Sequence, residues 1–195
     1  MGNDDAGLVR RSELIPSMTR ALAAAVTTAE VAQATISSLL IAIEADEVAF
    51  AVVQDRGRRL RVIAATGTTL LGVPRSVVDL ATDPEHPVAG AIRSGGTVVE
   101  RAPSTPSRVR AYAPVVAGDR VAGVIAIALA RSTGPMDADL SMLEGTADRV
   151  GGRWNASGCS GPSGPRAPRP IGRSRGWSGS KPPRPSSRGG SRSGR

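Results

Sequence analysis

Residues 112–129 read YAPVVAGDRVAGVIAIAL. Gly118-Asp119 suits a two-residue turn with glycine at its first central position, so the runs on either side predict the strands of a hairpin. In the second run Val121, Ile125, Ile127 and Leu129 share one face, while Ala122, Ala126, Ala128 and Ala130 line the other. A face of alanines implies that another element packs very close to it, most simply helices. The segment supplies no nucleophile, no metal ligand and no phosphate loop. Its order is architectural.

Working outward toward the N-terminus, Thr97 to Glu100 reads as a short strand. Before it a short helix, about Pro87 to Arg93, ends on Ser94-Gly95-Gly96, as left-handed caps require. These two pieces lie within a stretch, Gly67 to Ser107, whose periodicity is broken by Gly, Pro and Asp. Further back, Val48, Phe50 and Val52 alternate with Ala49, Ala51 and Val53. After the turn Asp55-Arg56-Gly57 a partner strand follows from Leu60 to Thr66, so this hairpin is apolar on both faces. Both faces must be covered. Thr27 with Glu30 forms a capping box for a helix reaching about Ile43, and Pro16 to Val26 carries Met18, Leu22 and Ala25 at helical spacing. Toward the C-terminus, Asp137 starts a helix with Leu140, Leu143, Ala147 and Val150 in one stripe, and Gly151-Gly152 is expected to end it.

This order describes an α+β domain with a central antiparallel sheet. The chain has 195 residues, enough for one domain with something left over. From residue 151 to 195 there are 11 Gly, 10 Ser, 7 Pro and 10 Lys or Arg, with no acid. That composition reads as a disordered basic tail. The net charge of +8 therefore divides into −2 for residues 1–150 and +10 for the tail. The body does not present the basic surface of a nucleic-acid-binding domain. No apolar run approaches a membrane span, and MGNDDAGLVRR has acids where a secretory signal needs an apolar segment, so a cytoplasmic protein is expected. Cys159 is the only cysteine, which excludes an internal disulfide and a cysteine-based metal site.

The succession LLIAIEADEVAFAVVQDRGRRLRVIAATG, HPVAGAIRSGGTVVE, YAPVVAGDRVAGVIAIAL and MDADLSMLEGTADRV resembles a GAF domain over about residues 14–150. The resemblance implies terminal helices on one face of the sheet and, on the other, a pocket closed by the broken segment. Residues 1–13 would be an N-terminal extension. It also implies a sensory or regulatory role in signal transduction, by binding a small molecule or by dimerising, with catalysis left to other domains. Bilin-binding members use a cysteine in the pocket region, and residues 67–107 contain none; sulfoxide-reducing members use several cysteines, which Cys159 alone does not match. The cyclic-nucleotide motif needs a lysine, and the body has no lysine.

Candidate ligand-binding residues follow, each beside an ordinary reading. His86, the only histidine, is a ligand hydrogen-bonding group near the pocket entrance or simply a helix-start residue. Tyr112 and Phe50, the only aromatics of the body, are pocket or core residues. Arg93 could meet an anionic ligand, though a cation at a helix C-terminus is favourable without one. Asp79 could hold a ligand or be a solvated loop carboxylate. No catalytic residue, metal site or cofactor is named by these residues. As partners, a homodimer is expected through the first and last helices, with Leu140, Leu143, Ala147 and Val150 at the seam. The tail is a weak nucleic-acid binder, a linker, or the out-of-frame product of GC-rich coding DNA, as its place in a chain with 24 Arg and one Lys suggests.

Overall fold

The computed structural model describes residues 16–67, 70–71, 76–102, 108–130 and 137–156. Residues 16–24 are helical (α1), and Thr28–Ile43 forms α2. The capping box starts α2: the Thr27 hydroxyl accepts from the Glu30 amide at 3.2 Å, and the Glu30 carboxylate accepts from the Thr27 amide at 2.9 Å. The backbone donors of Thr27 and Val26 hold the Glu30 carboxyl below the usual carboxylate range. Strands β1 (Glu47–Gln54) and β2 (Arg59–Ala65) form the first hairpin, followed by β3 (Val77–Asp79) and helix α3 (Pro87–Ser94). Then come β4 (Val98–Ala102), β5 (Arg108–Ala117), β6 (Arg120–Leu129) and helix α4 (Asp137–Ala156).

The strands make one six-stranded antiparallel sheet in the order β3-β2-β1-β6-β5-β4. Each face has its own core. On one side α1, α2 and α4 pack on Val48, Phe50, Val52, Ile125, Ile127 and Leu129. On the other, α3 and residues Leu70, Leu71 and Leu80 cover Ala49, Ala51, Val62, Tyr112, Ala126 and Ala128. The expected α+β architecture, with terminal helices on one face and the broken segment on the other, is what the structure shows. The terminal helices, however, sit on the isoleucine face of β6 and not on its alanine face. The alanines instead leave room for larger neighbours: Tyr112 lies directly across from Ala126 in the register, and Val88 and Ile92 of α3 belong to the same cluster. Val121 also changes sides from its expected position. The β5–β6 register slips between Val115 and Val116, leaving Ala122 as an extra residue, and a bulge of this kind turns the following side chain over.

Two further corrections concern α4. The stripe assigned to a dimer seam is spent inside the domain: Leu143, Ala147 and Val150 are fully buried, and Leu140 is partly buried against the same core. A charge at Leu143 would therefore unfold the domain and would not merely separate two copies. Gly151-Gly152 does not end the helix, which runs on to Ala156. Trp154, one turn further on, is buried with its ring centroid 5.6 Å from that of Phe50. The pair of glycines serves a close approach. A Cβ on Gly151 would stand 2.0 Å from the Val116 carbonyl oxygen, so helix backbone rests directly on the bulged part of the sheet. Gly123 does the same for Trp154, since a Cβ there would lie 2.8 Å from the Ala51 carbonyl oxygen and 3.1 Å from the indole.

Gly152 is exposed, with nothing within 4 Å of its Cβ position. The two neighbouring glycines should therefore respond with opposite signs. Gly151→Ala is expected to destabilise by about 1 to 3 kcal/mol through overpacking, and Gly152→Ala to stabilise by up to about 1 kcal/mol through helix propensity. Urea denaturation of the two variants checks this; stabilisation by both would mean that α4 does not rest on β5.

Candidate functional site on the α3 face of the sheet

Alternation along β5 puts Arg110 and Tyr112 on the same face, the one beneath α3. Across β4, Arg110 pairs with Glu100 and Tyr112 with Val98. Across β6, Arg110 faces Ala128 and Tyr112 faces Ala126. On β1 the same two rows end at Glu47 and Ala49. A floor of small side chains thus runs from a polar margin at β4–β5 toward β1. The Tyr112 hydroxyl donates to Glu100 Oε2 at 3.2 Å, and Arg110 Nη1 lies 3.8 Å from the same oxygen. Burial, and secondarily the negative charge of Glu100, push the Tyr112 phenol up to about 12.

His86 enters this cluster from above. It is the N-cap of α3, where Nδ1 accepts the Val88 amide at 3.2 Å, and Pro87 follows at the first helical position. Its ring centroid is 6.1 Å from that of Tyr112 with the planes at 70°, an edge-to-face arrangement. The cap orients the imidazole over the tyrosine. Arg93, at the other end of α3, donates from Nη1 to the Pro84 carbonyl at 2.8 Å and so fixes the loop leading into the His86 cap.

The five candidate ligand residues are not all brought together. His86 and Tyr112 meet, and Arg93 acts at one remove through the loop. Asp79 lies on edge strand β3, paired with Arg59 Nε at 3.5 Å and accepting the Ala81 amide at 2.9 Å. Phe50 is on the opposite face against Trp154, which removes it from this cluster. Sequence reasoning missed Glu100 and Arg110. The available signal was the two-residue spacing of Arg110 and Tyr112, which places both on one face of a strand.

Among the described residues, two buried side-chain polar atoms lack a hydrogen-bond partner: Ser76 Oγ and Arg110 Nε. Both lie on the α3 side of the sheet. Ser76 gives its carbonyl to the Val62 amide at 2.9 Å and precedes by two residues Val78, which packs into the α3-side core. A buried unsatisfied donor is uncommon in native proteins, and ordered water or a bound molecule supplies the partner. Among the described residues there is no group of three or more His, Cys, Asp or Glu side chains able to hold a metal ion, and no helix is long and apolar enough to cross a membrane.

A family model described as GAF domain matches residues 27–153, nearly all of the sheet and helices just described. The chain belongs to the GAF domain family. GAF domains occur in signalling proteins and sensors and are generally regulatory. Similar solved structures include the GAF domain of an Acinetobacter phosphoenolpyruvate-protein phosphotransferase, at 14% identity over 83% of this chain and 98% of that one, with a TM-score of 0.62. The second GAF domain of DevS from Mycobacterium smegmatis is similar at 22% identity over 67% of this chain and 95% of that one, with a TM-score of 0.56. Free methionine-R-sulfoxide reductase from Neisseria meningitidis, solved with its substrate, has a TM-score of 0.65 at 21% identity over 82% and 95% of the two chains. At these identities the likeness establishes the fold. No curated protein matches the sequence.

Tyr112 is the only tyrosine in the chain, so its ionisation can be followed directly by ultraviolet absorbance. The native protein should titrate with a midpoint near 12, and the denatured chain near the ordinary value of about 10. Because the folded value is the higher one, the phenol contributes stability that is complete below about pH 10 and lost as pH rises toward 12. Tyr112→Phe should flatten that alkaline loss. A native midpoint at the ordinary value would show that the hydroxyl is not buried against Glu100.

Proposed function

We propose that this chain is a sensory or regulatory module of signal transduction that binds a small molecule on the α3 face of its sheet. The observation carrying this reading is that Arg110 Nε, buried without a partner, lies on that face beside Glu100 and Tyr112. Ala126 and Ala128 lie beside Tyr112 and Arg110 on that face, Glu100 stands at its β4 margin, and His86 packs edge-on against Tyr112. An apolar floor with a few convergent polar groups is the usual composition of a small-molecule site. Arg110 stands beside Glu100 on β4, so the charge of each is offset locally and a ligand here is held chiefly by hydrogen bonds. No catalytic role is assigned: His86 spends Nδ1 on the α3 cap, and no activated nucleophile adjoins it among the described residues. A cytoplasmic setting goes with this reading.

The test is a thermal-shift screen with nucleosides, amino acids, lactams and other small polar metabolites. A true ligand present at one hundred times its dissociation constant adds about 2.7 kcal/mol, which moves a domain of this size by several degrees. The shift should be lost in Arg110→Gln. Equal stabilisation of Arg110→Gln, or no stabilising compound, would contradict the assignment.

A second reading, self-association, has its own observation. An open groove of about 440 Å³ runs between α1 and α2, lined by Met18, Ala21, Ala34, Ser37, Ser38 and Ile41 among others. Ile41 is 61% exposed and Val26 82%. On this reading two copies pair through α1 and α2, while the α4 stripe stays within each copy. Light scattering should give twice the monomer mass for the native chain and the monomer mass for Ile41→Arg. A monomeric native chain at high concentration would refute it.

A further inference from the structure

Strand β5 touches both functional regions of the domain. Its pocket-side residues Arg110 and Tyr112 belong to the polar cluster, and four residues beyond Tyr112 the Val116 carbonyl lies against Gly151 of α4. Contacts between side chains can absorb a small displacement by a change of rotamer. Contact between two backbones cannot, because a glycine has no side chain to give way. The contact also falls where the β5–β6 register slips, opposite the extra residue Ala122 of β6.

From Gly151 the connection continues in one step to α1. Arg153 donates from Nη2 to the Ala25 carbonyl at 2.8 Å and from Nε to the Leu22 carbonyl at 3.2 Å. These are carbonyls at the C-terminal end of α1, Leu22 in its last turn and Ala25 just beyond it, where helix carbonyls lack partners within the helix. A guanidinium there both satisfies them and opposes the negative end of the helix dipole. Thr146, two turns earlier on α4, donates its hydroxyl to the Met142 carbonyl at 2.8 Å, and its oxygen lies 3.6 Å from Met18 Sδ. α1 thus packs on α4 at Met18, and its C-terminal end is held by one side chain.

We propose that β5 and Arg153 form a transmission device: a displacement of β5 at Tyr112 shifts α4 through the Val116–Gly151 backbone contact, and Arg153 passes the shift to α1. This rests on the reading of the α3 face as the input site. It specifies the route by which occupancy there reaches the two terminal helices, and it assigns Arg153 as the positioning residue of that route.

Hydrogen exchange of the full chain tests the route without any ligand, so its failure and the failure of the ligand reading remain separate results. Four proteins are compared: native, Tyr112→Phe, Arg153→Gln and the double variant. Arg153→Gln removes two bonds from a charged donor and should speed exchange of amides 18–25 by roughly tenfold or more, with α2 unchanged. Tyr112→Phe, which removes only a hydroxyl, should also speed exchange at 18–25 in the native background and add nothing once Arg153 is Gln. Arg153→Lys should restore part of the protection. The proposal is overturned if Tyr112→Phe affects only α3, β4 and β5, if it raises α1 and α2 exchange equally, or if the two substitutions act independently on α1.

Discussion

The constraint on which this domain depends is that its central sheet is buried on both faces. An antiparallel sheet covered on one side can show polar residues on the other, but the interiors of β1 and β6 are apolar on both faces and need two covers. The two covers differ, and so do the residues that meet them. Beneath the terminal helices the sheet presents Val48, Phe50, Ile125, Ile127 and Leu129. Beneath α3 it presents alanines, and bulk comes instead from Tyr112 and the covering leucines. Where α4 comes closer than a side chain permits, glycine stands at the contact: Gly151 against Val116, and Gly123 beneath Trp154.

Much of this was legible in the chain. Period-two alternation located β1, β2, β5 and β6, and the capping box and the Ser94-Gly95-Gly96 ending located α2 and α3, because those signals are local. Residues whose roles depend on what lies opposite were misread. Gly151-Gly152 has the composition of a helix stop, yet its reason is a strand that passes 35 residues earlier. Leu143, Ala147, Val150 and Trp154 continue one helical stripe through that pair, a signal that outweighs the glycines once followed. The alanine face of β6 was read as the side that helices approach; α3 covers it while α2 and α4 take the isoleucine face, since alternation shows that two faces differ without saying which helix takes which. Val121 was misplaced because a bulge changes the parity of a strand, and no residue type marks Ala122 as the extra one.

The candidate site shows the same division. His86 and Tyr112 were singled out by their rarity and do meet. Phe50, chosen on the same ground, lies on the other face, because rarity carries no information about side. Glu100 and Arg110 became visible only through the β4–β5 register, which sets a carboxylate beside a tyrosine and an arginine that are two residues apart. Membership of the GAF family accounts for the architecture, and Arg110 Nε, buried without a partner, is the basis of the proposed ligand site on the α3 face.

The most direct measurement of that claim is a crystal structure of the chain with a compound that raises its melting temperature. The account predicts the compound on the α3 face, beside Glu100, Tyr112 and His86, with a polar atom within hydrogen-bond distance of Arg110 Nε. A compound seated in the groove between α1 and α2, with Arg110 Nε still unpartnered, would contradict it.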